Sequence, residues 1–171
     1  MKVLKENLTF VFLADRPDAI QTVAEWDYEE WGKVPGNSVQ KTIKRINGKL
    51  NRDKPPLYIL AISKGRVLGF AQFKRSGMSI YPEKEFWLGG TFVSPEFRGC
   101  GVGSALAERV VAVAKDFGVK NLYLQTEALD GGLYKRLGWN VIETVEYDSM
   151  QVAVMVRRLS DEADRNTPTA A

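Results

Sequence analysis

Apolar positions along this chain change period several times, and each change marks an element. Residues 8–14 form a short apolar run closed by Asp15-Arg16-Pro17, which predicts a first strand. Ile20, Ala24, Tyr28 and Trp31 then recur at helical spacing; Pro17 suits the first turn and Gly32 ends the pattern. Gly36-Asn37-Ser38 opens a second helix with the stripe Val39, Ile43, Ile46 and Leu50, and residues 51–56 break the chain with two prolines. Residues 57–63 and 67–73 predict a hairpin across Lys64-Gly65, residues 76–83 a loop, and residues 85–93 another strand. Val102, Leu106, Val110, Val113 and Phe117 share one helical face, with Gly118 as its C-cap. A short strand at 121–125, a short helix at 130–137 and two strands at 139–147 and 150–159 complete the pattern. The order β-α-α-β-β-β-α-β-α-β-β predicts an α/β fold (an α+β mixed sheet) with helices on both faces. Residues 1–159 read as one domain and the polar, small residues 160–171 as a flexible tail.

Composition matters mainly for what it excludes. The 171 residues contain no histidine and one cysteine, Cys100. Triads built on Ser-His or Cys-His, HExxH zinc sites and Cys-rich zinc sites are therefore unavailable, and no metal is expected. A lone cysteine has no intrachain disulfide partner and asks for no oxidising compartment. A net charge of +3 is too small to argue for nucleic acid. Lys2 and Lys5 before the first apolar run resemble an export signal, but the run is short and no small-residue cleavage pattern follows. No apolar segment is long enough for a membrane span, so the expected location is cytoplasmic.

The chemistry concentrates in Arg98-Gly99-Cys100-Gly101-Val102-Gly103, between a predicted strand and a predicted helix. Glycines let a main chain approach a ligand closely. A helix start aims its unbonded N–H groups and the positive end of its dipole at that ligand. This is a cradle for a pyrophosphate. A Walker A loop does not fit, since Ser104 and Ala105 follow Gly103 where Lys-Ser/Thr is needed. A dinucleotide fingerprint does not fit either: Leu106 stands where a small residue belongs, and residues 121–125 carry no acid for a ribose.

The remaining pattern, Arg/Gln-x-x-Gly-x-Gly/Ala, is met by Arg98, Gly101 and Gly103. Together with Leu133-Tyr134-Lys135-Arg136-Leu137-Gly138-Trp139 it makes the chain resemble the GNAT superfamily of acetyl-CoA-dependent N-acetyltransferases. The resemblance implies about seven strands in a mostly antiparallel sheet, splayed at its centre, with four helices. It implies acetyl-CoA as cosubstrate. Main-chain amides of Gly99, Cys100, Gly101, Val102, Gly103 and Ser104 would hold the pyrophosphate, with Arg98 bracing the loop or near the phosphates. The pantetheine arm would pair with Phe92 and Val93. The Val93 amide would face the thioester oxygen and Tyr134 would be the general acid, against the alternative of a core tyrosine under Trp139. Some relatives carry a glutamate base on the fourth strand; here that position falls near Trp87, a departure. Glu85, Glu146 or a water chain remain as alternatives for the base. Glu127 stands where many relatives have asparagine, and no role is assigned to it. Cys100 occupies a variable slot of the motif and is no nucleophile.

The expected acceptor is a primary amine on a small molecule, because no long acidic or aromatic groove is evident. A protein N-terminus or lysine, and a non-catalytic acyl-CoA sensor, are the alternatives. Neither nucleic acid nor membrane is an expected partner, and a homodimer is left open. Glu25, Asp27, Glu29 and Glu30, beside Trp26, Tyr28 and Trp31, would suit a cationic amine, with Trp26, Glu30 and Trp31 as its wall. Residues 33–54 argue the opposite, with seven cations against Asp53 alone.

Overall fold

The computed structural model describes residues 7–159. The predicted tail at 160–171, Lys2 and Lys5 lie outside them. Seven strands form a single sheet: β1 (Thr9–Phe12), β2 (Leu57–Ser63), β3 (Arg66–Arg75), β4 (Phe86–Val93), β5 (Asn121–Thr126), β6 (Asn140–Tyr147) and β7 (Met150–Arg158). The helices are α1 (Ile20–Asp27), α2 (Val39–Asn47), α3 (Val102–Asp116) and α4 (Gly132–Arg136). The sheet order is β1-β2-β3-β4-β5-β7-β6. Neighbours are antiparallel apart from β4 and β5, which run parallel and meet at one register pair, Trp87 with Tyr123.

Side-chain alternation explains the layers. All seven residues of β2 are buried, which requires cover on both faces. Leu57, Ile59 and Ala61 join the cluster around α3, with Leu106, Val110 and Ala114. Tyr58, Leu60 and Ile62 join the cluster under α1 and α2, with Val23, Ala24 and Ile46. Beyond β4, among the described residues, no helix contributes to the cluster on the α1/α2 face. There the loop between β3 and β4 supplies Met78 and Tyr81, packed on Trp87, Val152 and Val154. Tyr81 Oη donates to Glu143, and Tyr147 Oη contacts Ser79, so this loop is tied to β6. Each fully buried Val or Leu in these layers contributes about 1.5–3 kcal/mol of transfer free energy.

Two departures from the expected elements bear on the site. The first helix is α-helical only to Asp27; Tyr28–Gly32 forms a wider π turn. Such a turn breaks the helical stripe, so Trp31 leaves the core and stands 46% exposed. The second departure is a bulge between β3 and β4. The register steps from Ala71–Thr91 to Phe73–Leu88, which sets Gly89 and Gly90 together opposite Gln72.

Candidate active site

Where β4 and β5 part, a cavity of about 800 Å³ opens on the α1/α2 side of the sheet. Its floor is Gln72, Lys74 and the segment Gly89-Gly90-Thr91; Tyr134, Gln125 and Glu127 stand at the parting. The π turn with Glu30 and Trp31, and α2 with Arg45 followed by Lys49, form one wall. Tyr147, Asp148 and Met150 at the β6–β7 turn form the opposite one. The bulge glycines make the room. A Cβ on Gly90 would lie 3.0 Å from the Trp31 ring, and one on Gly89 would lie 3.1 Å from the Lys74 stem.

The side carrying the glycine loop is built from main chain. Gly99 and Gly101 hold φ of +75° and +82°, a left-handed conformation that L side chains adopt at a cost of about 1–2 kcal/mol. Gly101 is the N-cap of α3, and no side chain caps that helix. Its first amides are therefore available to an anion. Gly103 has ordinary φ; its open side lies beside Val93 and Leu133, where a Cβ would sit 3.7–3.8 Å from either side chain. The residues thus fit a pyrophosphate-bearing cosubstrate.

The ladder decides where Val93 points. Ser94 N donates to Leu68 O at 2.9 Å, just outside the Gly69–Val93 pair. That pair is therefore of the non-hydrogen-bonded kind, and the N–H and C=O of Val93 face away from β3, into the gap toward β5. The same alternation turns Thr91 the same way. Arg98 Nε donates to the Val93 carbonyl at 3.0 Å, and its guanidinium lies 5.5 Å from the Phe92 ring centre. Arg98 thus braces the loop against β4. Phe92 itself is buried between Phe70 and Trp26. Cys100 is half-buried, with Sγ 3.7 Å from the Arg98 carbonyl.

Tyr134 is half-buried on α4, edge-on to Trp139 at 6.2 Å, and lines the cavity. Burial pushes its hydroxyl above the ordinary tyrosine value, and a hydrogen bond with Thr91 opposes this. The side chain is thus a protonated donor at neutral pH, held where the strands separate. The Trp139 backbone N–H donates to the Tyr134 carbonyl at 3.1 Å, fixing the turn of α4 behind it.

Other expected site residues lie elsewhere. Glu85 is exposed and ion-paired with Arg75, whose guanidinium sits over Phe86. Glu146 is exposed on β6, between Val145 and Tyr147, whose side chains pack on the opposite face. Neither glutamate lines the cavity. Trp26 stacks on Phe92 at 5.1 Å between centroids and is absent from the lining, while Glu30 and Trp31 belong to it.

The acidic face of the first helix largely disperses. Glu25 accepts from Gln21, and Glu29 pairs with Lys33 at 2.5 Å, both on the exposed surface. Asp27 is 3% exposed and pairs with Arg45 at 2.5 Å. Of the seven cations at 33–54, Arg45 and Lys49 line the cavity. Lys74, from β3, joins them there. Its ammonium and that of Lys49 are pushed to lower pKa, first by burial and then by neighbouring cations. Lys74 was not singled out in the sequence. Strand alternation from Phe70 through Gln72 could have placed it on this face.

Comparison with known proteins agrees with this geometry. The chain matches the acetyltransferase (GNAT) family over residues 17–139. It is 31% identical over 131 residues to an uncharacterized N-acetyltransferase of Chlorobaculum tepidum, covering 77% of this chain and 73% of that protein. Among solved structures it resembles an aminoglycoside 6'-N-acetyltransferase complexed with coenzyme A (TM-score 0.71, 11% identity, 90% and 98% of the two chains). It also resembles Ard1 from Thermoplasma volcanium (TM-score 0.68, 18% identity, 91% and 99%). This chain belongs to the GNAT acetyltransferase family, and the seven-stranded, centrally open sheet expected from the resemblance is the one observed. Among the described residues no helix is long and apolar enough to cross a membrane.

Proposed function

We propose that this chain is a cytoplasmic enzyme that transfers an acetyl group from acetyl-CoA directly to the nitrogen of a small-molecule primary amine. The observation that carries this reading is the position of Tyr134: a protonated hydroxyl at the parting of β4 and β5, lining a cavity deep enough for a small acceptor.

Bound acetyl-CoA supplies the acyl group and a thiolate leaving group. The chain supplies the rest. The uncapped first turn of α3, from Val102 to Ser104, with the Gly99 to Gly101 loop, binds the pyrophosphate. The Val93 N–H, directed into the gap, donates to the thioester oxygen as negative charge gathers there. Tyr134 Oη holds the proton for the departing sulfur. The acceptor must arrive as the neutral amine; Glu30, Glu127 and Asp148 line the cavity as carboxylates able to take its proton directly or through water. Glu127 and Asp148 replace Glu85 and Glu146 in this role because they face the cavity.

A thiol is already a fair leaving group at its reference pKa of about 8.5, so the acid adds a moderate factor. Tyr134→Phe is expected to lower kcat by about 10- to 100-fold. Release of free thiol from acetyl-CoA, followed over a panel of amines, tests the reading. Steady, amine-dependent release that falls in the variant supports it. Tight coenzyme A binding without release from any amine would make the chain an acyl-CoA sensor instead.

A further inference from the structure

We infer that the acceptor carries an anionic group, a carboxylate or a phosphonate-type oxyanion, which docks on Lys49 and Lys74 while its amine points toward Tyr134. This rests on the acetyl-transfer reading above and names its substrate class.

Three observations converge. Lys49, just beyond α2, and Lys74, on β3, line the same cavity from two separate elements. Both are half-buried, and among the described residues neither makes an ion pair, whereas the buried Asp27 is taken by Arg45. Lys74 is positioned by its floor: its Cδ and Cε lie 3.1 Å from where a Gly89 Cβ would be, so the stem lies across the bulge with its head in the cavity. An ammonium withdrawn from water without a counter-ion is costly. Two such groups at one end of a cavity are best explained by a ligand that brings the negative charge. Burial first, and neighbouring cations second, lower their affinity for protons, and Asp27 offsets this only in part.

Among the other lining charges, Glu127 follows β5 at the parting, where Tyr134 also stands, and can take the amine's proton. Lys74 lies over Gly89, so an anion held there leaves the amine end free to reach the parting. From Thr91, which contacts Tyr134, to Gly89 is two residues, at most about 7 Å along the strand. The shorter 4-aminobutyrate and the longer 6-aminohexanoate bracket that span.

The test is thiol release from acetyl-CoA with propylamine and hexylamine, 4-aminobutyrate and 6-aminohexanoate, and 3-aminopropylphosphonate, in the full chain and in Lys49→Met and Lys74→Met, which keep the aliphatic stems. The expected result is a preference for acidic over neutral amines in kcat/KM that shrinks by about 10-fold for each lysine removed. Lys49→Glu should shift the preference toward 1,4-diaminobutane. The carboxylate and phosphonate arms identify the anion. Equal use of neutral and acidic amines overturns the inference and leaves acetyl transfer standing. Loss of coenzyme A affinity in the lysine variants also overturns it, because the lysines would then serve the cosubstrate. If no amine releases thiol, the acetyl-transfer reading fails. Calorimetric binding of 6-aminohexanoate with coenzyme A present then decides the subsite: binding that is lost in the double lysine variant upholds it, and no binding overturns it.

Discussion

The two ends of the cleft are built from different material. At the end we assign to the pyrophosphate, the groups on offer are main-chain amides, presented by one continuous stretch from Gly99 to Ser104. At the acceptor end they are side chains drawn from the π turn, α2, β3 and the β6–β7 turn. A main-chain site demands particular backbone angles and so writes itself into a local motif. A side-chain site demands only that distant elements converge, and it can change its charges without touching the fold. The first end suits a constant cosubstrate and the second a variable acceptor.

The sharpest way to break this division is Gly101→Val. The left-handed φ of +82° is hostile to a β-branched side chain, and the loop must distort. Coenzyme A affinity measured by calorimetry should fall by about 10-fold or more, the equivalent of about 1–2 kcal/mol, while the acceptor cavity keeps its shape. Unchanged affinity would mean the loop is not the anion cradle.

Asp27→Asn attacks the other end. Breaking a buried pair costs about 3–5 kcal/mol. Arg45 is 44% exposed and water screens its charge, so about 1–2 kcal/mol is expected, lowering Tm by a few degrees in scanning calorimetry. Coenzyme A affinity should hold; a fall would couple the two ends.

Gly90→Ala is milder. Its Cβ would press on the Trp31 ring at 3.0 Å, but Trp31 is exposed and can yield. The acceptor KM should rise about threefold, with kcat little altered. A value unchanged within error would move the acceptor away from the bulge.

The smallest expected effect is in the pH profile. Burial raises the Tyr134 pKa above the usual tyrosine value of about 10, so the proton that the proposed mechanism asks it to donate is retained below that pH. At saturating amine, kcat should show no alkaline decline up to about pH 10. A decline near neutrality would assign the donor to another group.

The same contrast governs what could be read before the structure. The strands and helices follow from local periodicity; β2 is observed at the predicted residues 57–63. The conformation of the glycine loop was legible because left-handed φ demands glycine. The placement of Tyr134 on a short helix was legible through its motif. What escaped was direction. Trp26 and Trp31 were both expected in the acceptor wall, yet Trp26 packs on Phe92 in the core while the π turn carries Trp31 to the cavity. Glu85 sits near a functional strand in sequence, but lies outside the cavity, paired with Arg75. The opposing charges of the first two helices could not be reconciled until Asp27 and Arg45 were seen to neutralise each other, leaving Lys49 and Lys74.

One register pair joins β4 to β5. Everything from β5 to the end of β7 is therefore stitched to the rest of the sheet by a seam left largely unsewn. An elongated guest with amides of its own would act as a splint across that seam, gripping both edges. Such a guest at a hundred times its dissociation constant stabilises its host by about 2.7 kcal/mol. Here that gain should show as slower amide exchange along the two facing edges, so that the protein firms up as it loads.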